Sequence, residues 1–172
     1  MKWNSVPALM SALFVSVATP SMALNTLWAP SDFSGAWVEV LDDSQNGCWT
    51  NIGEVKAYAA DQLELAGFNV IERPKRTEDS PNLSLDKNVV LVIHVKGMRW
   101  DNGVCVGSLM THFLGRVIVV PQERRWVVNT IGEPTAHPLW DQTNFNTILL
   151  DPIKGFIFSW VENGKIDEAG LD

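Results

Sequence analysis

The sequence lacks an excess of basic residues. Its 172 residues include 13 Lys and Arg against 20 Asp and Glu, which gives a formal net charge of −7. No run of more than two consecutive basic residues occurs anywhere in the chain. Proteins that bind nucleic acids by neutralising phosphates need a basic surface. The composition therefore disfavours a nucleic-acid partner.

Charged residues are scarce in general, at 19% of the chain, while apolar residues make up 46%. An intrinsically disordered chain shows the opposite balance, because it cannot bury enough apolar surface to offset its conformational entropy. Domains usually contain roughly 100–200 residues. The sequence therefore predicts one folded domain.

Long hydrophobic runs are missing after the N-terminus, which excludes a protein with several membrane spans. One uncharged, mostly apolar run at residues 6–18 follows Lys2 and precedes Pro20, Ser21 and Ala23. Small residues at −3 and −1 are what a signal peptidase requires. An uncleaved anchor is the alternative, but a span needs about 20 apolar residues. We predict a signal peptide at residues 1–23 and a mature domain at 24–172, periplasmic or secreted, without a membrane span after signal removal.

Cysteine is represented only by Cys48 and Cys105. In an oxidising compartment, an even pair is most simply a disulfide. Two buried free thiols are the alternative. Two cysteines are too few for a structural zinc site, and a redox-active pair is disfavoured because there is no Cys-x-x-Cys spacing. We predict a Cys48–Cys105 disulfide.

The pattern of apolar residues predicts alternating strands and helices. Asn51 and Glu54 resemble a capping box at the start of a helix that ends at Gly67. The predicted elements are a strand at 33–41, the helix from Asn51, a strand at 68–72, a polar loop at 73–88, strands at 89–100, 104–120 and 126–132, an irregular segment at 133–147, a helix from Asp151 to Asn163-Gly164, and a short polar tail.

Together these elements predict an α+β, two-layer fold. Its mixed sheet has about five strands in the order β-α-β-β-β-β-α, and both helices cover one face because each has a single apolar stripe.

Two histidines are candidates for a metal or acid–base site. His94 and His112 lie on the two strands of a predicted hairpin. If Trp100 pairs with Val104, both imidazoles lie on one face as diagonal neighbours and allow a two-His metal or acid–base site. If Asp101 pairs with Val104, they lie on opposite faces, because a one-residue slip reverses every side chain. The structural alternative is a pair of ordinary strand histidines.

Other catalytic motifs are absent. The sequence has no Gly-x-Ser-x-Gly nucleophile motif and no phosphate-binding glycine loop. We therefore assign no catalytic residue, no cofactor and no metal.

Tryptophan is the unusual feature, with eight in the chain. Tryptophan is enriched at interaction hot spots and stacks on flat ligands, although core packing is its ordinary role. Trp28, Trp100 and Trp140 are predicted near loops or strand ends. They are the candidate contact surface, whereas Trp160 belongs to the stripe of the last helix.

The segment 54–67, Trp140-Asp141 and the last helix resemble those of small exported bacterial proteins of unassigned function. The resemblance implies the layout of the domain and no activity. We predict a non-catalytic protein-interaction or accessory module of the bacterial cell envelope, with an envelope protein as its partner and the exposed sheet face or an edge strand as the contact. The alternatives are a small periplasmic hydrolase or metal-dependent enzyme, and a small-molecule carrier.

Overall fold

The computed structural model describes residues 29–74, 87–120 and 125–166. The predicted signal peptide, Trp28, most of the loop at 73–88 and the polar tail after residue 166 lie outside the described residues. The described elements, in chain order, are β1 (Gly35–Ser44), α1 (Ile52–Leu65), β2 (Asn88–Arg99), β3 (Cys105–Val120), β4 (Arg125–Asp141) and α2 (Leu150–Ile166).

The sheet is mixed, and its long strands follow the order β1-β2-β3-β4. β1 and β2 are parallel, whereas the β2–β3 and β3–β4 pairs are antiparallel. A fifth, short strand lies outside β1, where Val70 forms an isolated parallel bridge with Ala36. Ala36 N donates to Asn69 O and Ile71 N donates to Ala36 O, each at 2.8 Å. The predicted strand at 68–72 is thus present, and it pairs with β1 in parallel.

Both helices pack on one face of this sheet and form the main core with it. Alternate residues of β2 point into that core because side chains alternate across a strand. Fully buried members of the core are Val55, Leu63, Val89, Leu91, Ile93, Val95, Ile153 and Ile157. The predicted α+β fold with two helices on one face of a mixed sheet is therefore confirmed.

The start and end of α1 agree with the sequence, although the capping detail differs. Asn51 is the residue before the helix, but its side chain makes no cap hydrogen bond to the backbone. Instead, Asn51 Nδ2 donates to Glu54 Oε2 at 3.2 Å, and Asn51 Oδ1 accepts from Trp49 Nε1 at 3.1 Å. Gly67 follows the helix with φ +96°, a conformation that favours glycine.

β4 is longer than predicted. The irregular segment expected at 133–147 is wrong for its first part, because β4 continues to Asp141, which pairs with Cys105. Pro134 and Pro138 lie in this added part of the strand. Because β4 is an edge strand of the sheet, proline is tolerated there, since its missing N–H needs no partner.

α2 also extends beyond its predicted end. It begins at Leu150, one residue before Asp151, and continues past Asn163-Gly164 to Ile166. A glycine inside a helix weakens it without necessarily ending it. Within the described residues, no helix combines the length and the apolar character needed to cross a membrane.

Candidate functional site

The side chains of the sheet that point away from the helices form what we call the uncovered face. Met98, Val106 and Trp140 form one cross-strand row of it. Among the described residues, five of the six large apolar side chains that are clearly exposed lie on or next to this face. The five are Leu41, Met98, Trp100, Met110 and Trp140.

The two ends of the uncovered face differ. At one end, Trp37, Val90 and Val92 form a small buried cluster, against which Ile71 and Leu114 pack. Trp37 is 2% exposed, and its Nε1 has no hydrogen-bond partner. The exposed apolar side chains therefore lie toward the other end, where β2 turns into β3.

A contact between a carboxyl group and an imidazole crosses the middle of the uncovered face. His94 Nε2 lies 2.7 Å from Asp43 Oδ2, which joins β2 to β1. The Asp43 carboxylate is 60% exposed, whereas the His94 side chain is 20% exposed. The neighbouring Asp42, also on β1, instead accepts from Ser44 N at 2.8 Å.

His112 lies on the same face as His94. Trp100 N donates to Val104 O at 2.8 Å, and His94 is opposite Met110 while His112 is opposite Val92. The register is thus the one that makes the two imidazoles diagonal neighbours. Burial, with a smaller contribution from His94, lowers the pKa of His112 below its ordinary 6.5.

The surroundings of His112 compensate its ring poorly and supply few further ligands. His112 Nδ1 is buried and has no hydrogen-bond partner, so one ring nitrogen is left without compensation for its lost hydration. Within the described parts of the chain, no group of three or more His, Cys, Asp or Glu side chains is placed to hold a metal ion.

Arg99 connects the loops at the exposed end of the uncovered face, which we call the loop end (residues 44–51, 100–104 and 140–149). Its Nε donates to Asn46 O at 3.1 Å and its Nη1 to Gly103 O at 2.6 Å. Its Nη2 donates to Gly47 O at 3.3 Å and Thr143 O at 2.8 Å. One guanidinium therefore holds three chain segments together through charge-assisted hydrogen bonds.

The predicted disulfide lies at the same end. Cys48 and Cys105 are bonded, with their Cα atoms 5.6 Å apart. Beside it, Phe145 N donates to Cys48 O at 2.7 Å, and the fully buried Phe145 ring lies against Gly97. A Cβ on Gly97 would collide with that ring, and Gly97 faces Gly107 across the strands. Gly97 thus makes the room into which the Phe145 ring fits, whereas a Cβ on Gly107 would collide with the β2 backbone at Lys96 and Gly97.

Asp141 orders the loop that follows Trp140. Its Oδ1 accepts from Thr143 N at 2.7 Å, from Thr143 Oγ1 at 2.8 Å and from Asn144 N at 2.9 Å. These hydrogen bonds, led by the one from the Thr143 backbone, stabilise the carboxylate and hold the pKa of Asp141 below its ordinary value. The backbone that carries Trp140 is therefore fixed on both sides, by β3 and by this turn.

Two of the three tryptophans in the candidate contact surface are exposed at this end. Trp100 is 53% exposed and Trp140 is 64% exposed, whereas Trp28 lies outside the described residues. Three further tryptophans serve packing: Trp37 and Trp49 are buried, and Trp160 packs on the core with its Nε1 donating to Ile131 O at 3.3 Å.

Sequence reasoning missed the groups that order this surface. Arg99 was not singled out, because its partners are backbone carbonyls that leave no trace in residue identity. The Gly97–Gly107 pair had a weak signal, since glycine inside a strand often marks a close approach by another group. The Asp43–His94 pair joins residues 51 positions apart, so it depended on the strand register.

Two hollows on the surface are open to solvent. One, of about 310 Å³, is lined on the uncovered face by Asp43, Lys96, Met98, Val106 and Ser108. The other, of about 440 Å³, lies between α1 and the edge formed by residues 70–73. Neither is lined by His94 or His112. A carrier would need an enclosed apolar cavity, so these hollows do not favour that alternative.

Comparison with known proteins adds a distant likeness of fold. No family model and no curated protein matches the chain. Among solved structures, the chain is similar to a single-substitution variant of PelC, a dodecamer from Paraburkholderia phytofirmans. The identity is 15%, the TM-score is 0.42, and the match covers 77% of this chain and 90% of that one. A similarity at this level does not define a function.

Proposed function

We propose that this chain is an exported accessory module of the bacterial cell envelope that binds a protein partner and does not catalyse a reaction. The partner contacts the uncovered face of the sheet at the loop end. The observation that carries the proposal is the pair of exposed indoles, Trp100 and Trp140, on a backbone fixed by Arg99, Asp141 and the disulfide.

Exposed tryptophan on rigid backbone is suited to binding for two reasons. Large aromatic side chains dominate the energetics of protein interfaces when a partner desolvates them. A fixed backbone lowers the conformational entropy that binding would otherwise cost. Side chains that served the core would be buried instead, as Trp37 and Trp49 are.

Export is supported by two separate features. The N-terminal sequence at residues 1–23 has the pattern of a signal peptide. The Cys48–Cys105 disulfide is stable in the periplasm or outside the cell and uncommon in the bacterial cytosol.

The uncovered face is better suited to binding a partner than the edge strand β4. An edge strand recruits a partner strand through its free N–H and C=O groups. β4 is one edge of the sheet, and Pro134 and Pro138 each lack the N–H that an incoming strand would use. Edge pairing along this part of β4 is therefore disfavoured.

Photocrosslinking in the producing cell tests the proposal. A benzophenone side chain at position 98 or 110 places the reactive group on the uncovered face, and the same group at Leu65, which is 72% exposed on α1, is the matched control. We expect a discrete protein adduct from positions 98 and 110 and none from position 65. Absence of adducts from the uncovered face, or the same adducts from all three positions, would contradict the proposal.

A small hydrolase is the second candidate, because Asp43 and His94 form a hydrogen-bonded pair with His112 on the same face. A carboxylate that orients an imidazole is a common part of acid–base sites. An activity of the purified protein that disappears in Asp43→Asn and His94→Ala, and persists in Trp100→Ala/Trp140→Ala, would favour this candidate over binding.

A further inference from the structure

The loop end carries an excess of carboxylates. Asp101 follows Trp100 in the hairpin turn, and Asp141 follows Trp140. The segments 44–51, 100–104 and 140–149, which make up the loop end, contain no lysine and no arginine. Each exposed indole is thus followed in the chain by a carboxylate, and the loop end itself supplies no basic side chain.

One arginine, Arg99, lies at this end of the sheet. All of the hydrogen bonds described for the Arg99 guanidinium go to backbone carbonyls of the three loops. The next cation along β2 is Lys96, which lies on the row of Asp43, one row beyond Met98. Of the two described cations nearest to this end along β2, Arg99 is thus engaged with loop carbonyls and Lys96 lies outside the loop end.

Indole faces and carboxylates attract the same kind of group. A guanidinium or ammonium group is attracted to the face of an aromatic ring, most strongly to tryptophan, and arginine is found there more often than lysine. Carboxylates nearby add Coulomb attraction and steer a positively charged partner during association.

We infer that the partner of the uncovered face presents arginine or lysine side chains to the loop end. This inference rests on the proposed function, and it names the chemistry of the partner. The cationic groups stack on Trp100 and Trp140, and Asp101 contributes electrostatic attraction beside Trp100. A mainly apolar partner surface would instead face the unfavourable burial of this carboxylate.

Titration with a basic peptide tests the inference. The disulfide-bonded protein is titrated with nona-arginine at physiological salt, and binding is followed by tryptophan fluorescence and confirmed by calorimetry. We expect Trp100→Ala/Trp140→Ala to weaken binding about tenfold, and Trp100→Tyr/Trp140→Tyr to recover part of the loss.

Two matched charge changes separate a local contact from general attraction to an acidic protein. Asp101→Asn removes a carboxylate next to Trp100, and Asp61→Asn removes an exposed carboxylate from α1. We expect the first to weaken binding about threefold and the second to leave it unchanged. Equal losses for the two variants, or full affinity in the double alanine variant, would overturn the inference.

Other occupants would give different results. A neutral β-linked glucan oligosaccharide that binds through Trp100 and Trp140 with no effect of Asp101→Asn would replace the inference with carbohydrate binding. A dimer that dissociates in Trp100→Ala/Trp140→Ala, seen by sedimentation, would replace it with self-association. Crosslinked protein adducts at positions 98 and 110 without peptide binding would overturn this inference and leave the proposed function standing.

Discussion

The two faces of the sheet differ in packing and in exposure to solvent. The helix-covered face is closely packed and apolar, with Phe113 fully buried and its ring centroid 4.8 Å from that of Trp160 and 5.4 Å from that of Phe156. The uncovered face instead alternates apolar side chains with the Asp43–His94 pair and leaves Trp100 and Trp140 exposed. Stability is therefore expected from the first face and recognition from the second, and each prediction below tests that division.

The largest effect is expected from Phe113→Ala. It removes a ring that contacts three aromatic side chains of the covered face and leaves a cavity, so the free energy of unfolding should fall by about 3–5 kcal/mol. Urea denaturation measures this value. Met110→Ala, three positions earlier on the uncovered face, is the control and should change stability by no more than about 0.5 kcal/mol. Similar losses for both variants would contradict the division between faces.

Removal of the disulfide should have the next largest effect. Cys48→Ser/Cys105→Ser releases a link between residues 57 positions apart, which should lower the free energy of unfolding by about 2–4 kcal/mol. A reductant should destabilise the wild-type protein by the same amount and leave the variant unaffected. A variant with wild-type stability would show that the link does not limit the unfolded chain.

Arg99→Met tests the order of the loop end. Four carbonyl oxygens lose a charged donor, so we expect a loss of about 2 kcal/mol and faster amide exchange at residues 142–149. Arg73→Met is the matched control, because Arg73 forms an exposed ion pair with Glu39 at 2.7 Å and such pairs contribute at most about 1 kcal/mol. Unchanged amide exchange in Arg99→Met would show that the disulfide alone orders these loops.

The uncovered face should also give a small dependence of stability on pH. The pKa of His112 is lower in the folded protein than its ordinary 6.5, so the unfolded chain binds a proton first as the pH falls. The stability that neutral His112 contributes is then complete above about pH 7 and is lost as the pH falls below the ordinary histidine pKa. In His112→Gln, the free energy of unfolding from urea titrations should fall less between about pH 7 and pH 5. An unchanged dependence on pH would show that another group causes the decrease.

The smallest effect on stability is expected from Trp140→Ala. This side chain is 64% exposed, so the free energy of unfolding should change by about 0.5 kcal/mol or less, while crosslinking from position 98 should decrease strongly. Thermal unfolding and the yield of adduct measure the two quantities. A large loss of stability would move Trp140 from the contact surface to the packing of the domain.

Local patterns in the sequence predicted most of the fold. The alternation on β2, the stripes of α1 and α2 and the turn at residues 101–103 are short-range signals, and each corresponds to an element in the structure. The end of β4 was predicted wrongly, because its continuation to Asp141 depends on pairing with β3, which joins residues far apart in the chain. The candidate site was harder to predict from the sequence, because Arg99 contacts backbone atoms of residues far from it in the chain.

The order of the residues by itself determined the class of the domain, the apolar face of each element and the presence of two cysteines that could bond, because these depend on periodicity and composition. Only the tertiary structure decided which register places His94 and His112 on one face, which tryptophans remain exposed, and how one guanidinium joins three loops. Those features depend on contacts between residues far apart in the chain. Local sequence patterns do not fix the distances between such residues.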